Sequence, residues 1–140
     1  MAGASTKIVV EHCWTLVGLR RGPFWYARRV RKVTGKPASV EFDASWVLRR
    51  EEDRGDVVGF YHTHPGGPPQ PSKRDLRTMH AWVAAFGKPL LCLIESEGMV
   101  AAFRFDDDES DAIGLVCECF PRGVVIVLDP ITSIDAEVPS

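Results

Sequence analysis

The stretch VVGFYHTHPGGPPQPSKRDL, residues 57–76, constrains the fold of this chain more than any other segment. It opens with a continuous apolar run, which is typical of a strand buried on both faces. A loop rich in proline and glycine follows, and neither residue readily continues a regular element. From Ser72 onward, apolar residues recur at helical spacing until Gly87, a residue type that commonly ends a helix. This order predicts a buried strand, a tight loop and a helix.

The remaining segments predict further strands on both sides of this unit. Three segments before it are enriched in β-branched and aromatic residues and are expected to be strands, at residues 7–19, 24–33 and 38–42. Asp43 is placed to cap a short helix over 44–53, which Gly55 ends. Four apolar segments after the main helix are also predicted strands, at residues 89–94, 99–105, 113–120 and 123–129. We therefore expect an α/β fold, with a mixed central sheet and flanking helices, in a single domain over residues 1–140.

Composition and charge argue against several classes of protein. The formal net charge is −2, so no bulk attraction to nucleic acid or to an anionic membrane is expected. No apolar run approaches the roughly 20 residues of a membrane helix, and the N-terminus lacks the apolar core of a signal peptide. The four cysteines lie in apolar segments and are expected to be buried, reduced thiols, at Cys13, Cys92, Cys117 and Cys119. We expect a cytoplasmic protein.

Two of the four histidines, His62 and His64, stand one residue apart at the end of the buried strand. On an extended backbone, side chains at i and i+2 point to the same side, so the two imidazoles face one point. Asp75 follows on the first turn of the predicted helix, and the loop can return its carboxylate to that point. Two imidazoles and one carboxylate with an open fourth position are typical of a catalytic zinc site. Zinc lowers the pKa of a bound water to about 7.

The same residues also allow a purely structural interpretation. Ser72-x-x-Asp75 matches the capping box of a helix, with aspartate in place of the usual glutamate or glutamine. Capping and metal binding are compatible, because Asp75 can bind a metal from the first turn. Other zinc motifs fit less well: the chain has no His-Glu-x-x-His. The pair Cys117-Glu-Cys119 is expected to face the core from a strand and not to bind metal.

The pattern resembles the signature of the JAMM metalloproteases, also known as the JAB or MPN family. That signature is His-(Ser/Thr)-His-Pro, a loop and Ser-x-x-Asp; this chain has His-Thr-His-Pro at 62–65 and Ser-Lys-Arg-Asp at 72–75. The resemblance implies a cytidine-deaminase-like three-layer α/β fold and one zinc ion bound by His62, His64 and Asp75. It also implies cleavage of peptide or isopeptide bonds after the C-terminus of a ubiquitin-like protein.

Two further residues take catalytic roles from the same resemblance. The family has a glutamate on its first strand with a Leu-x-Gly ending seven residues later, and Glu11 to Gly18 fits that spacing. Glu11 is therefore expected to be the general base, with Glu41 as the second choice; a glutamate in an apolar strand otherwise needs a partner. Ser72 is expected to hydrogen-bond the oxyanion of the tetrahedral intermediate. The short connection after the main helix, at 87–89, is similar to that of compact, stand-alone prokaryotic members.

Three functions compete on these residues. The leading one is a zinc protease that deconjugates or processes a ubiquitin-like protein, alongside activating- and conjugating-enzyme-like proteins of the same operon, as in antiphage systems. Related enzymes act on sulfur-carrier or small-molecule conjugates. The second is a non-catalytic scaffold, and the third is a cysteine hydrolase that uses Cys13 or Cys92 with His12 or His80. The basic stretch at 20–36 is interpreted as a solvated face, with a docking surface for an acidic partner as the alternative.

Overall fold

The computed structural model describes residues 10–35, 43–107 and 112–130. They form seven strands, two α-helices and one 3-10 turn at Pro121–Gly123. In chain order the strands and α-helices are β1 Glu11–Arg21, β2 Phe24–Gly35, α1 Ala44–Arg54, β3 Val57–Thr63, α2 Lys73–Phe86, β4 Leu90–Ser96, β5 Met99–Phe105, β6 Ile113–Phe120 and β7 Val124–Leu128. The predicted α/β class, with a sheet and helices, is confirmed. The predicted strand at 38–42 lies outside the described residues, and so does Glu41.

The seven strands form one sheet in the order β1-β2-β7-β6-β5-β4-β3, and β3 also pairs with β1, so the order closes on itself. The sheet is mixed, because β3 and β4 are parallel and the other pairs are antiparallel. Parallel strands need a long crossover, which α2 provides. Strand β3 therefore lies between two partners, and its first six residues are buried. This position explains the continuous apolar run that precedes the histidines.

The two faces of the sheet bury separate hydrophobic clusters. The inner face, which the closed order of strands encloses, buries a cluster that includes Leu16 and Tyr61. The outer face buries a second cluster together with Val47 of α1 and with Met79 and Val83 of α2. Side chains alternate along β3, so His62 shares the outer face with Phe60 of the second cluster. Both helices therefore pack on the face that carries the histidines.

The helices begin and end where local signals predict. Asp43 caps α1 by accepting a hydrogen bond from the backbone N–H of Trp46 at 3.2 Å, and Gly55 ends the helix with φ 63°. Gly87 ends α2 in the same left-handed conformation, with φ 67°. Within the part of the chain that the structure describes, neither helix has the length and apolar character needed to cross a membrane.

Gly59 and Gly18 permit close contacts between strands. A Cβ atom on Gly59 would overlap the carbonyl oxygen of Leu91 on β4, and one on Gly18 would overlap that of Tyr26 on β2. Any larger residue at either position would have to push the neighbouring backbone away. Gly59 thus keeps the strand that carries the histidines against its parallel partner.

The cysteine prediction is right for two thiols and wrong for Cys119. Cys13 and Cys92 are buried, Cys117 is half-buried and Cys119 is exposed, and all four are free. Cys117 packs against the inner cluster, as predicted for a core-facing residue. Pairing of β6 with β5 covers only its first three residues, up to Leu115. The far end of β6, which carries Cys119, therefore has β7 as its one strand neighbour among the described residues.

Candidate metal centre

His62, His64 and Asp75 meet at one point on the outer face of the sheet. His62 lies on β3, His64 follows the end of that strand, and Asp75 is in the first turn of α2. The Nε2 atoms of the two imidazoles are 3.0 Å apart. Oδ1 of Asp75 is 3.4 Å from Nε2 of His62, and Oδ2 is 3.2 Å from Nε2 of His64. The structure therefore brings together the three side chains that the sequence predicts to converge.

This donor set fits a zinc ion. With bonds of roughly 2.0–2.2 Å in a tetrahedral site, neighbouring donor atoms are about 3.3 Å apart. The three observed separations, 3.0, 3.2 and 3.4 Å, lie within a few tenths of an ångström of that value. Two ring nitrogens that face each other also need a proton or a cation between them, because their lone pairs repel. Among the described residues this is the only group of three or more such donors close enough to share an ion.

Contacts behind the imidazole of His64 set its orientation. Its Nδ1–H donates a hydrogen bond to the carbonyl oxygen of Pro68 at 3.3 Å, and its backbone N–H donates to the carbonyl oxygen of Glu95 at 2.8 Å. Because a carbonyl oxygen can only accept, Nδ1 carries the proton and Nε2 keeps a lone pair for a metal. Nδ1 of His62 is buried and has no hydrogen-bond partner in the described part of the chain.

The capping box predicted at 72–75 is present, and it shares Asp75 with the donor cluster. The backbone N–H of Asp75 donates to Oγ of Ser72 at 3.1 Å, and the backbone N–H of Ser72 donates to Oδ2 of Asp75 at 2.8 Å. The structural and metal-binding interpretations are therefore compatible, because the cap orients the carboxylate toward the histidines. Ser72 is exposed and uses its hydroxyl oxygen as an acceptor in the cap, so its O–H can still donate to a bound group.

Burial and hydrogen bonds set the charges of the cluster. Burial alone would raise the pKa of Asp75, but hydrogen bonds from His62 and His64 outweigh it and hold that pKa well below its usual value. The hydrogen bond to Asp75 raises the pKa of His64, and the carboxylate of Glu11 adds a smaller contribution in the same direction. In the metal-free protein, an ionised carboxylate thus faces a histidine that holds its proton more firmly than usual.

Glu11 begins β1 on the same side of the sheet as the cluster. Cys13 pairs directly with His62 across β1 and β3, and Glu11 lies two residues before Cys13, so its side chain points to the same face. Continuing this antiparallel register places Glu11 level with His64. Burial raises the pKa of Cys13 to about 12, with further contributions from the charges of Glu11 and Asp75. Both carboxylates therefore raise the pKa of the same thiol, which lies on β1 beside His62.

Thr63 has a contact that the sequence analysis missed. Its Oγ1 accepts a hydrogen bond from the backbone N–H of His12 at 3.0 Å. Backbone pairing between β1 and β3 stops at Cys13 and His62, so this side chain continues the connection by one more residue. It joins the residue that follows Glu11 to the residue between the two histidines. The one feature of the sequence that could have indicated this contact is the hydroxyl of the threonine between the two histidines.

The alternative cysteine site is not assembled. Cys13 and Cys92 are buried, and burial raises the pKa of both thiols, so neither is a thiolate at neutral pH. The ring of His12 is hydrogen-bonded to a threonine hydroxyl, and the ring of His80 packs edge-to-face against a phenylalanine. This arrangement argues against a cysteine hydrolase.

Several basic residues of the stretch 20–36 make contacts within the molecule. Arg20 and Arg31 each form an ion pair with an aspartate, at 3.0 and 2.8 Å. The guanidinium of Arg29 lies over two aromatic rings, 4.5 and 4.7 Å from their centroids. Three of the predicted cations are therefore engaged within the molecule, which weakens the docking alternative.

Comparisons with known proteins identify the family of the chain. Residues 6–106 match a family described as prokaryotic homologs of the JAB domain, and this range contains Glu11 and the three donors. A desampylase of Pyrococcus furiosus is 32% identical to the chain over 92 residues, or 63% of this chain. The match spans 61% of the length of that relative. Because the family match covers well over half of the 140 residues, this chain belongs to the prokaryotic JAB-domain family.

Proposed function

We propose that this chain is a zinc-dependent peptidase that cleaves after the C-terminus of a ubiquitin-like protein. The observation that carries the proposal is the convergence of His62, His64 and Asp75, whose donor atoms lie 3.0 to 3.4 Å apart. Membership of the JAB family and the relative named desampylase support a hydrolase that acts on a ubiquitin-like conjugate. Deconjugation breaks an isopeptide bond and precursor processing breaks a peptide bond, and both bonds follow the same C-terminal residue, so the proposal includes both activities.

His62, His64 and Asp75 would hold one zinc ion, which when bound would lower the pKa of a coordinated water to about 7 and polarise the scissile carbonyl. Glu11 would take the proton of the attacking water and pass it to the leaving amine. Its place on β1, level with His64, supports this role. The hydroxyl of Ser72 would donate a hydrogen bond to the oxyanion, from a position that the helix cap holds.

The proposal has a finer part that rests on the family and on the sequence. It includes the cytidine-deaminase-like three-layer fold, a single domain over residues 1–140 and a cytoplasmic location. The pairing of all seven strands in one sheet supports a single domain. The proposed partners are a ubiquitin-like protein or its conjugates and activating- and conjugating-enzyme-like proteins of the same operon, including antiphage systems. Sulfur-carrier and small-molecule conjugates are the alternative substrates.

Zinc content and cleavage, measured together, test the metal. Purified protein is expected to contain about one zinc per chain and to release a ubiquitin-like protein from a linear fusion. A chelator or His62→Ala is expected to remove both the metal and the cleavage, whereas His80→Ala, which changes a histidine outside the cluster, is expected to keep both. Cleavage that survives the chelator but stops with a thiol-alkylating agent would contradict the proposal. A zinc-loaded protein that cleaves no fusion would favour the scaffold.

A second variant tests the base. Glu11→Gln keeps the size of the side chain but cannot accept a proton, so turnover is expected to fall by about 10²–10⁴-fold at unchanged zinc content. Glu52→Gln, which changes an exposed glutamate of α1, is the matched control and is expected to keep the wild-type rate. If Glu11→Gln remains nearly as active as wild type, the base lies elsewhere.

A further inference from the structure

The outer face of β2, β7 and β6 is a separate apolar surface. Antiparallel neighbours share a face, and the pairing defines three rows across these strands. The rows are Phe24–Leu128–Val116, Tyr26–Ile126–Glu118 and Arg28–Val124–Phe120. The residues between them, such as Trp25 and Val127, belong to the inner cluster, so the nine side chains of the rows point outward. The main helix contacts are elsewhere, between α1 and β3 and between α2 and β4 or β5.

This surface is apolar and open to solvent. Seven of its nine side chains are apolar, and the two charged ones are Arg28 and Glu118. The exposed fractions are 38% for Phe24, 41% for Tyr26, 71% for Val116 and 41% for Phe120. Leu19 of β1 extends the middle row beyond Tyr26 and is 48% exposed. Of the eight exposed large hydrophobic residues in the described ranges, five therefore lie together, as in an interaction site.

We propose that this face binds a second copy of the chain in a two-fold symmetric dimer. The two charges support this partner, because they are complementary to each other across the face. Arg28 is on β2 and Glu118 is on β6, with β7 between them, and they are one row apart. A two-fold axis parallel to β7 sets β2 of one copy over β6 of the other. Arg28 then lies next to Glu118 of the second copy, and symmetry forms this pair twice.

The same charges disfavour the other way of packing the two faces. An axis that runs across the strands along the middle row would set Glu118 over Glu118 of the second copy and Arg28 over Phe24. Two like charges would then be buried together, which is unfavourable. Neither Arg28 nor Glu118 has an ion-pair or hydrogen-bond partner within the described part of the chain, so both are available for a contact between copies. The charge pattern therefore selects one of the two arrangements.

The size of the face sets the expected strength of the dimer. About a dozen side chains per copy take part, fewer than the roughly 20–30 of a standard interface. We therefore expect a reversible dimer with a dissociation constant in the micromolar range. The metal cluster stays open in this dimer, because it lies on the far side of β1, next to α2.

Sedimentation velocity over about 1–200 µM protein tests the dimer, with charge variants that test its geometry. Arg28→Glu and Glu118→Arg are each expected to weaken association at least tenfold, because each sets like charges together in two places. The double variant Arg28→Glu with Glu118→Arg is expected to return the dissociation constant to within about threefold of wild type. Val116→Asp is expected to abolish association. Leu48→Asp, a matched change at an apolar residue 50% exposed on α1, is expected to have no effect.

Three results would overturn the proposal. One is a wild-type protein that remains monomeric up to about 200 µM. Another is a dimer that neither Arg28→Glu nor Val116→Asp weakens, since that dimer would use another face. The third is a charge swap that fails to restore association although both single variants weaken it. Circular dichroism and thermal melting of every variant separate loss of association from loss of folding.

Discussion

Ser72 is expected to have two separable roles, as the cap of α2 and as a hydrogen-bond donor to the oxyanion. Ser72→Ala removes the oxygen that accepts the backbone N–H of Asp75 at 3.1 Å. Loss of such a cap typically costs about 1 kcal/mol of the free energy of unfolding. For a chain of 140 residues, that loss is expected to lower the melting temperature by about 3–4 °C.

The expected catalytic loss is larger than the loss of stability. Removal of one donor to an oxyanion lowers kcat by about 10²–10³-fold, or roughly 3–4 kcal/mol in the transition state. Because the variant stays folded at assay temperature, its weaker cap cannot produce a rate change of that size. Ser72→Thr keeps both the acceptor and the donor, so it is expected to retain most of the stability and the rate.

The other capped helix offers a matched control. Asp43→Ala removes the side chain that accepts the backbone N–H of Trp46 at the start of α1, together with an exposed ion pair to Arg31. We expect a similar fall in melting temperature with no change in kcat. The assay pairs thermal melting in a chelator with turnover of a fusion substrate by the zinc-loaded protein. If Ser72→Ala melts a few degrees lower but cleaves within about threefold of wild type, the donor role is refuted and Ser72 is only a cap.

Thr63→Val removes the hydroxyl that holds the strand of Glu11, so kcat is expected to fall about tenfold at unchanged zinc content and to recover in Thr63→Ser. In the metal-free protein the pKa of His64 is raised above its usual 6.5, chiefly by its hydrogen bond to a carboxylate, so this stabilising pair is complete below pH 6.5 and is lost as the pH rises through the raised pKa. Melting in a chelator is therefore expected to occur at lower temperature at about pH 8 than at about pH 6, whereas zinc affinity rises over the same range; the opposite trend in melting would contradict the pairing. Gly59→Ala would place a methyl group on a carbonyl oxygen of β4, so we expect no folded protein by circular dichroism, whereas Gly114→Ala enters open space and is expected to fold.

Local sequence signals were sufficient to predict the elements but not their arrangement. The cap at Asp43, the stop at Gly87 and the apolar run of β3 each depend on a few neighbouring residues, so one sequence contains them. Pairing is different, because β2 lies beside β7, which comes from near the other end of the described chain. Nothing in either segment identifies its partner, since any strand with the right alternation could take that place.

For the candidate site, the sequence likewise predicted the residues but not all of their contacts. The spacing of His62, His64 and Asp75 follows from the geometry of a strand and a helix start, and their convergence is confirmed. The bond from Thr63 to β1 required knowledge of which strand lies beside β3. The exposed end of β6 could not be predicted either, because both faces of this strand carry apolar residues. Leu115 lies on the inner face and Val116 on the outer face. Such a pattern does not indicate which face another element covers.

The loop at 65–71 contributes none of the three donors, which come from a strand, its end and a helix. Packing of β3 and α2 in the outer cluster holds His62 and Asp75 independently of the sequence of that loop. Substitutions there that keep the carbonyl oxygen of Pro68 in place, where it accepts a hydrogen bond from His64, can therefore change the surface that a bound protein contacts without moving the three donors. In such a scaffold the loop sequence can vary between relatives while the three donors keep their positions.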